Sequence, residues 1–219
     1  IAILFAGLMD ALDGRIARLV KGTSKIGKEL DSLADVISFG VAPSLIMYFW
    51  NLQYLDKLGW FICLVYVVCV ALRLARFNVN SDEDPSWKDN FFEGMPSPAG
   101  GMIVLLPLVI SFSGLAELFG QINYDLLVPF FFITVSVLLI STIPTYSFKK
   151  IVIPRSMTKF LLFGIVLFFG ALLVYTFKVL AVSSFIYLLL IPVSYFHYKK
   201  IKKEKNITSE KDEDLEDIL

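Results

Sequence analysis

Four aspartates lie in a regular pattern near the start of the chain: Asp10, Asp13, Asp31 and Asp35. They belong to the run D-A-L-D-G-R-I-A-R, which is followed after eight residues by G-K-E-L-D-S-L-A-D. Carboxylates gathered in one place repel one another unless cations neutralise them, and hard oxygen ligands suit Mg²⁺, Mn²⁺ or Ca²⁺. The pattern therefore predicts a site for divalent cations.

The spacing of the aspartates predicts how they meet. Asp10 and Asp13 are three residues apart and Asp31 and Asp35 are four apart, so each pair lies on one face of a helix. In an antiparallel hairpin that turns near residues 22–23, Asp13 faces Asp31 and Asp10 faces Asp35. Two cations held there can clamp a pyrophosphate and orient an in-line displacement.

Residues beside the aspartates fit a nucleotide. Gly14 and Ala17 have almost no side chain, so a ligand can approach the backbone there. Arg18 and Lys28 are placed to contact phosphate, and Gly27 lies in the polar loop that we expect between the two helices.

Asp35, at the deeper end of the second helix, is the candidate general base for an attacking hydroxyl. The alternatives are a solvated helix face and an ion-coupled transporter, because carboxylates within membranes also relay protons or sodium ions.

The composition places the chain among membrane proteins. Of its 219 residues 57% are hydrophobic, and the mean hydropathy is +0.72. We expect an all-α, polytopic transmembrane bundle at residues 1–198 and a charged, disordered tail at 199–219. Because the first residue is Ile, we also expect one more helix upstream.

About seven apolar segments are predicted as helices, at 1–21, 31–50, 59–77, 98–117, 125–144, 158–177 and 179–197.

Basic residues are concentrated in alternate connections and in the tail, which predicts that the aspartates and the C-terminus face the cytoplasm across the cell membrane. Twenty acidic and twenty basic residues cancel, so the net charge says nothing about partners. For a membrane protein of this kind we expect no nucleic-acid partner. Cys63 and Cys69 are interpreted as packing residues, because six residues of helix hold them too far apart for a disulfide.

The aspartate pattern closely resembles the signature of the CDP-alcohol phosphotransferases, D-x-x-D-G-x-x-A-R, eight residues, then G-x-x-x-D-x-x-x-D. All eight fixed positions are present. The resemblance implies a helical membrane enzyme with two divalent cations, Mg²⁺ or Mn²⁺, at a site open to the cytoplasm. It implies that Asp10, Asp13 and Asp31 bind metal, that Asp35 is the base and also touches metal, and that the small residues and Arg18 lie near the CDP moiety.

Three further segments resemble the integral-membrane phosphatidylserine synthases of that family: D-S-L-A-D-V-I-S-F-G-V-A-P from residue 31, R-L-A-R-F-N from 73 and G-M-P-S-P-A from 94. The resemblance implies that CDP-diacylglycerol, or CDP-archaeol in an ether-lipid membrane, reacts with L-serine to give phosphatidylserine and CMP. It also implies a homodimer. Glycerol 3-phosphate and inositol phosphate are the alternative acceptors.

Four residues downstream of the aspartates are predicted to bind serine or phosphate: Ser38, Arg73, Arg76 and Asn78. Arg offers a bidentate fork to a carboxylate or phosphate. The alternatives are that the two arginines anchor a helix at the membrane boundary and that Ser38 is a small packing residue.

Overall fold

The computed structural model describes residues 25–80, 91–115, 117, 123–146 and 157–216. The predicted first helix, 1–21, lies outside these ranges. Eight α-helices and two short strands occur within them. They are α1 (Lys25–Asp35), α2 (Ala42–Trp50), α3 (Lys57–Asn80), β1 (Phe91–Glu93), α4 (Ser97–Val104), α5 (Leu106–Ser113), α6 (Tyr124–Ile140), β2 (Pro144–Tyr146), α7 (Thr158–Val174) and α8 (Thr176–Glu216).

The expected all-α bundle is confirmed, since each of the six predicted segments within the described ranges forms helix. Three helical stretches are long and apolar enough to cross a membrane: Glu29–Trp50, Lys57–Val79 and Thr176–Ile201. The helices Tyr124–Ile140 and Thr158–Val174 are apolar but shorter. These features indicate association with a membrane.

Helix α3 forms the centre of the bundle. It packs along α6 and against α2, and its fully buried residues Tyr66 and Val70 belong to the main hydrophobic core. From α6, Phe132 joins that core, with its ring centroid 5.4 Å from that of Tyr66. Cys63 and Cys69 are buried free thiols, which confirms their interpretation as packing residues.

The second predicted segment begins earlier than expected and changes helix type. Helix α1 starts at Lys25, so Gly27 lies within a helix and not in the polar loop where we predicted it. Its apolar residues Ile26, Leu30 and Leu33 repeat at helical spacing, which extends the pattern toward the N-terminus. A π-helical segment, Val36–Val41, joins α1 to α2.

The fourth predicted segment is broken at Leu105, which separates α4 from α5. Pro107 follows two residues later and has no N–H for an intrahelical bond, which explains the break. The fifth segment ends at Ile140 and not at residue 144, because Pro144 lies in the strand β2.

Strand β1 pairs antiparallel with β2, and the adjoining backbone extends this connection. Gly94 N donates to Ile143 O at 3.0 Å, and Met95 N donates to Leu138 O at 3.2 Å. Gly94 has a φ of +74°, and a Cβ added there would lie 2.6 Å from Ser141 O. Glycine is therefore required at this position by both backbone conformation and space.

The last two helices meet at Tyr175, close to the hairpin predicted near Lys178. A largely apolar cavity of about 780 Å³ lies between them, from Gly164 to Ile186. No residue of α7 is buried. Helix α8 continues to Glu216, into the charged segment that begins at residue 199. Lys and Glu are good helix formers, so the charged composition does not by itself end the helix.

Candidate active site

Two of the four signature aspartates, Asp31 and Asp35, lie in the described part of the chain, and both belong to α1. Asp31 is exposed and Asp35 is partly buried. Their spacing of four residues places them one above the other on a single face of the helix. The other predicted metal and CDP residues, Asp10, Asp13, Gly14, Ala17 and Arg18, lie outside the described ranges.

Arg73 is the most deeply buried of the predicted substrate-binding residues, with 8% of its surface exposed. Its Nη1 donates to Ser97 Oγ at 3.0 Å, and its guanidinium carbon lies 5.7 Å from the centroid of the Phe77 ring. The charges of Asp35 and Arg73 interact. A buried cation is costly unless it is compensated, and these contacts supply part of that compensation. Arg73 is thus an interior cation held between α3 and α4.

Arg76 lies one turn further along α3 and has a different set of partners. Its Nη2 donates to Ile140 O at 2.6 Å and to Leu139 O at 3.4 Å. These carbonyls belong to the last turn of α6, where helix carbonyls lack intrahelical donors and attract cations. Arg76 therefore caps α6, and the contacts that the structure gives it are structural.

Asn78 connects α3 to the aspartate helix. Its Nδ2 donates to Ser32 Oγ at 2.8 Å, and Ser32 lies between Asp31 and Asp35 in sequence. The six residues from Arg73 to Asn78 thus hold three elements: α4 through Ser97, α6 through its terminal carbonyls, and α1 through Ser32. Together they attach the helix that carries Asp31 and Asp35 to the bundle.

Ser38 lies in the π-helical segment and is partly buried. Gly27 is exposed in the first turn of α1. Lys28 follows it in the same helix, and its side chain lies outside the described part of the structure. Since both are on α1, they are on the same element as Asp31 and Asp35.

The C-terminal half of the chain contributes two groups that the sequence did not predict. Tyr187 of α8 lies near Arg73 and Thr145, and its buried hydroxyl has no hydrogen-bond partner among the described residues. Thr145 Oγ1 in turn donates to Gly94 O at 2.7 Å. A Tyr within an apolar helix gives no signal in sequence that distinguishes it from a packing residue.

The donor chemistry of α1 fits a divalent cation. Asp31 and Asp35 provide carboxylate oxygens on one helix face, and Asp31 is accessible from outside the bundle. Mg²⁺ and Mn²⁺ prefer such ligands. Arg73 adds a buried positive charge, and a guanidinium can bind an anionic group.

Comparison with known proteins agrees with the signature. The family model for CDP-alcohol phosphatidyltransferases matches residues 1–140. A relative from Mycobacterium tuberculosis (strain ATCC 25618 / H37Rv), named CDP-diacylglycerol--serine O-phosphatidyltransferase, is 40% identical over 158 residues, which are 69% of this chain and 52% of the relative.

Two further relatives carry the same name. The Helicobacter pylori (strain ATCC 700392 / 26695) protein is 40% identical over 144 residues, 66% of this chain and 58% of that protein. The Saccharomyces cerevisiae (strain ATCC 204508 / S288c) protein is 43% identical over 107 residues, 47% of this chain and 38% of that protein. This chain therefore spans only about half the length, or less, of these curated relatives.

Proposed function

Because the chain belongs to the CDP-alcohol phosphatidyltransferase family, we propose that it transfers a phosphatidyl group from CDP-diacylglycerol to L-serine. The products are phosphatidylserine and CMP. The names of the relatives support this reaction. The structural observation that supports the proposal is the bond from Asn78 to Ser32, which joins the helix of Asp31 and Asp35 to the helix that carries the buried Arg73, a cation that can bind an anionic group.

Each signature residue has a role in the proposed reaction. Asp10, Asp13, Asp31 and Asp35 hold two divalent cations, Mg²⁺ or Mn²⁺, which when bound neutralise the pyrophosphate of the CDP-lipid. Asp35 also accepts the proton of the serine hydroxyl. The serine oxygen forms a bond to the phosphorus that carries diacylglycerol, and the bond from that phosphorus to the CMP oxygen breaks.

Other signature residues bind the nucleotide. Gly14, Ala17 and Gly27 let the CDP moiety approach the backbone, and Arg18 and Lys28 contact its phosphates. CDP-archaeol replaces CDP-diacylglycerol where the membrane is made of ether lipids.

Arg73 is our main candidate for binding the serine carboxylate. A guanidinium has five N–H donors, and the bond from Nη1 to Ser97 uses one of them. We also assign Ser38 and Asn78 to the binding of serine or phosphate, and Asn78 bonds Ser32 in addition. Arg76 stays a candidate for binding serine or phosphate, and its Nη2 also holds the end of α6 through two backbone carbonyls.

We further propose that the protein lies in the cell membrane with this site and the C-terminus in the cytoplasm, and that it forms a homodimer. The basic connections predicted from sequence support the orientation. Accessibility of single cysteines introduced next to Asp31 and in the connection at Tyr175 tests it, because the two positions should be labelled from opposite sides.

The deciding experiment is CMP release by purified protein in detergent, with CDP-diacylglycerol and Mn²⁺ or Mg²⁺. Parallel reactions contain serine, glycerol 3-phosphate, inositol phosphate or no acceptor. We expect release that depends on serine and stops when EDTA removes the metal. Preference for another acceptor would reassign the substrate, whereas solute flux in sealed vesicles without CMP release would indicate a transporter.

A further inference from the structure

The π-helical segment Val36–Val41 begins directly after Asp35. Its widened turn is shown by the bond from Ala42 N to Ile37 O, which spans five residues where an α-helix spans four. Each such turn takes up one additional residue, which rotates the preceding helix by about 100° relative to the following one. The direction in which Asp31 and Asp35 point therefore depends on this segment.

The sequence explains why the segment needs an outside partner. Pro43 has no N–H, so the carbonyl of Phe39, four residues earlier, loses the donor that a regular helix would supply. The hydroxyl of Tyr66, from α3, takes that place and donates to Phe39 O at 2.9 Å. Tyr66 is fully buried, so water cannot replace its hydroxyl.

Helices α3 and α4 also pack closely against the π-helical segment at Phe39 and Gly40. A Cβ added to Gly101 of α4 would lie 3.1 Å from Phe39 O and 3.3 Å from Phe39 Cα. A Cβ added to Gly40 would lie 3.4 Å from a methyl group of Val70. In the following turn, Ser44 Oγ donates to Gly40 O at 2.8 Å. The segment is thus packed from two sides and bonded at Phe39.

We propose that Tyr66 is a positioning residue for the aspartate helix: its bond to Phe39 O keeps Val36–Val41 in the π-helical form and thereby sets the direction of Asp31 and Asp35. Tyr66 does not touch substrate in this account. Its effect passes through the backbone, from Phe39 to Asp35, over about one turn of helix.

Of the two measurements in the test, only CMP release rests on the proposed function. Removing the Tyr66 hydroxyl has two possible effects, loss of stability and loss of aspartate direction, and the experiment must separate them. Mn²⁺ affinity, followed by the electron paramagnetic resonance signal of free Mn²⁺, reports the aspartate site without any assumption about the acceptor alcohol.

The test variant is Tyr66→Phe, which retains the ring packed on Phe132 and removes the hydroxyl alone. We expect Mn²⁺ affinity and CMP release each to fall about tenfold to a hundredfold. The matched control is Ser136→Ala, which removes a buried hydroxyl that donates to Phe132 O at 2.7 Å within the regular helix α6. We expect Ser136→Ala to retain the Mn²⁺ affinity and the CMP release of the unaltered protein within about twofold.

A second variant separates stability from direction. In Tyr66→Phe/Pro43→Ala, the new N–H at position 43 can bond Phe39 O in the regular α-helical form. We expect Tm to recover toward that of the unaltered protein while Mn²⁺ affinity stays low. Where Tyr66→Phe alone gives too little folded protein, this double variant is the one compared with Ser136→Ala.

Two results would overturn the inference. One is unchanged Mn²⁺ affinity in folded Tyr66→Phe. The other is recovery of Mn²⁺ affinity together with Tm in the double variant, since that would show that the carbonyl needs only a donor. If the unaltered protein releases no CMP with any acceptor, the proposed function fails, and the Mn²⁺ titrations still decide the role of Tyr66.

Discussion

The side-chain amide of Asn78 donates a 2.8 Å hydrogen bond to the hydroxyl of Ser32, between the end of α3 and the helix that carries Asp31 and Asp35. The backbone joins α1 to the bundle at Val36, and the Asn78–Ser32 hydrogen bond joins them a second time through side chains. Both residues are partly buried. The bond therefore restrains the aspartate helix in addition to its chain connection.

We predict that Asn78→Ala lowers CMP release about tenfold and weakens Mn²⁺ binding, because α1 loses a restraint near its metal ligands. The expected cost in stability is only about 1 kcal/mol, the usual net value of one hydrogen bond. Ser32→Ala should give the same losses. In the double variant Asn78→Ala/Ser32→Ala the losses should not add, since both changes remove one bond. Full additivity would show that the two residues act separately.

Replacing an aspartate of α1 should separate binding from turnover. Asp31→Asn keeps the side chain's size and removes a charged metal ligand, so we expect metal-dependent CMP release to disappear while the protein still folds. Asp35→Asn should spare binding of the CDP-lipid more than turnover, because the base is lost. Asp10→Asn and Asp13→Asn are expected to behave like Asp31→Asn. Normal metal-dependent activity in Asp31→Asn would contradict the metal assignment.

The two arginines of α3 should respond differently to substitution. Arg76→Ala removes the bonds to Ile140 O and Leu139 O, so we expect a stability loss of about 1–3 kcal/mol, seen as a lower Tm. Arg73→Lys keeps a positive charge but loses the fork geometry, so we expect mainly a higher KM for serine. A Tm loss for Arg73→Lys with unchanged KM would reassign Arg73 to structure.

Two glycines in the left-handed region allow backbone strain to be separated from crowding. Gly94 and Gly114 have φ values of +74° and +73°, but only Gly94 is crowded, with Ser141 O 2.6 Å and Leu139 O 3.0 Å from an added Cβ. We expect Gly114→Ala to cost about 1 kcal/mol from conformation alone. Gly94→Ala should cost clearly more, because the backbone at β1 and β2 must move. Thermal unfolding in detergent measures both, and equal Tm losses would contradict this account.

The sequence predicted the helical class and most helix positions because long apolar segments in a membrane protein can form little else. Pro107 explains the break within the fourth segment and Pro144 the end of the fifth, and both are visible in the sequence. The start of α1 was missed because Gly27 and the lysines around it suggested a loop, whereas the apolar spacing of Ile26 and Leu30 already belongs to the helix.

The substrate-site residues were only partly predictable, because their partners are distant in sequence. R-L-A-R-F-N suggested contacts with substrate, yet Arg76 bonds carbonyls 63 and 64 residues away. Pro43 indicates a missing hydrogen bond, but nothing local indicates that Tyr66 replaces it. Tyr187 could not be distinguished from the other aromatic residues of α8. The signature residues outside the described ranges remain predictions.

The strand pair and the bonds beside it also constrain the order in which the chain can assemble. Gly94 and Met95 are held by backbone groups at Ile143 and Leu138, which are synthesised more than 40 residues later. Likewise, Arg76 can donate its hydrogen bond to Ile140 O only after residue 140 has been synthesised. During translation, α1, α2 and α3 can therefore form and pair early, whereas the start of α4, with Ser97 beneath Arg73, is fixed only after α6 has entered the membrane. We therefore expect the contacts of Gly94, Met95 and Arg76 to form late in synthesis.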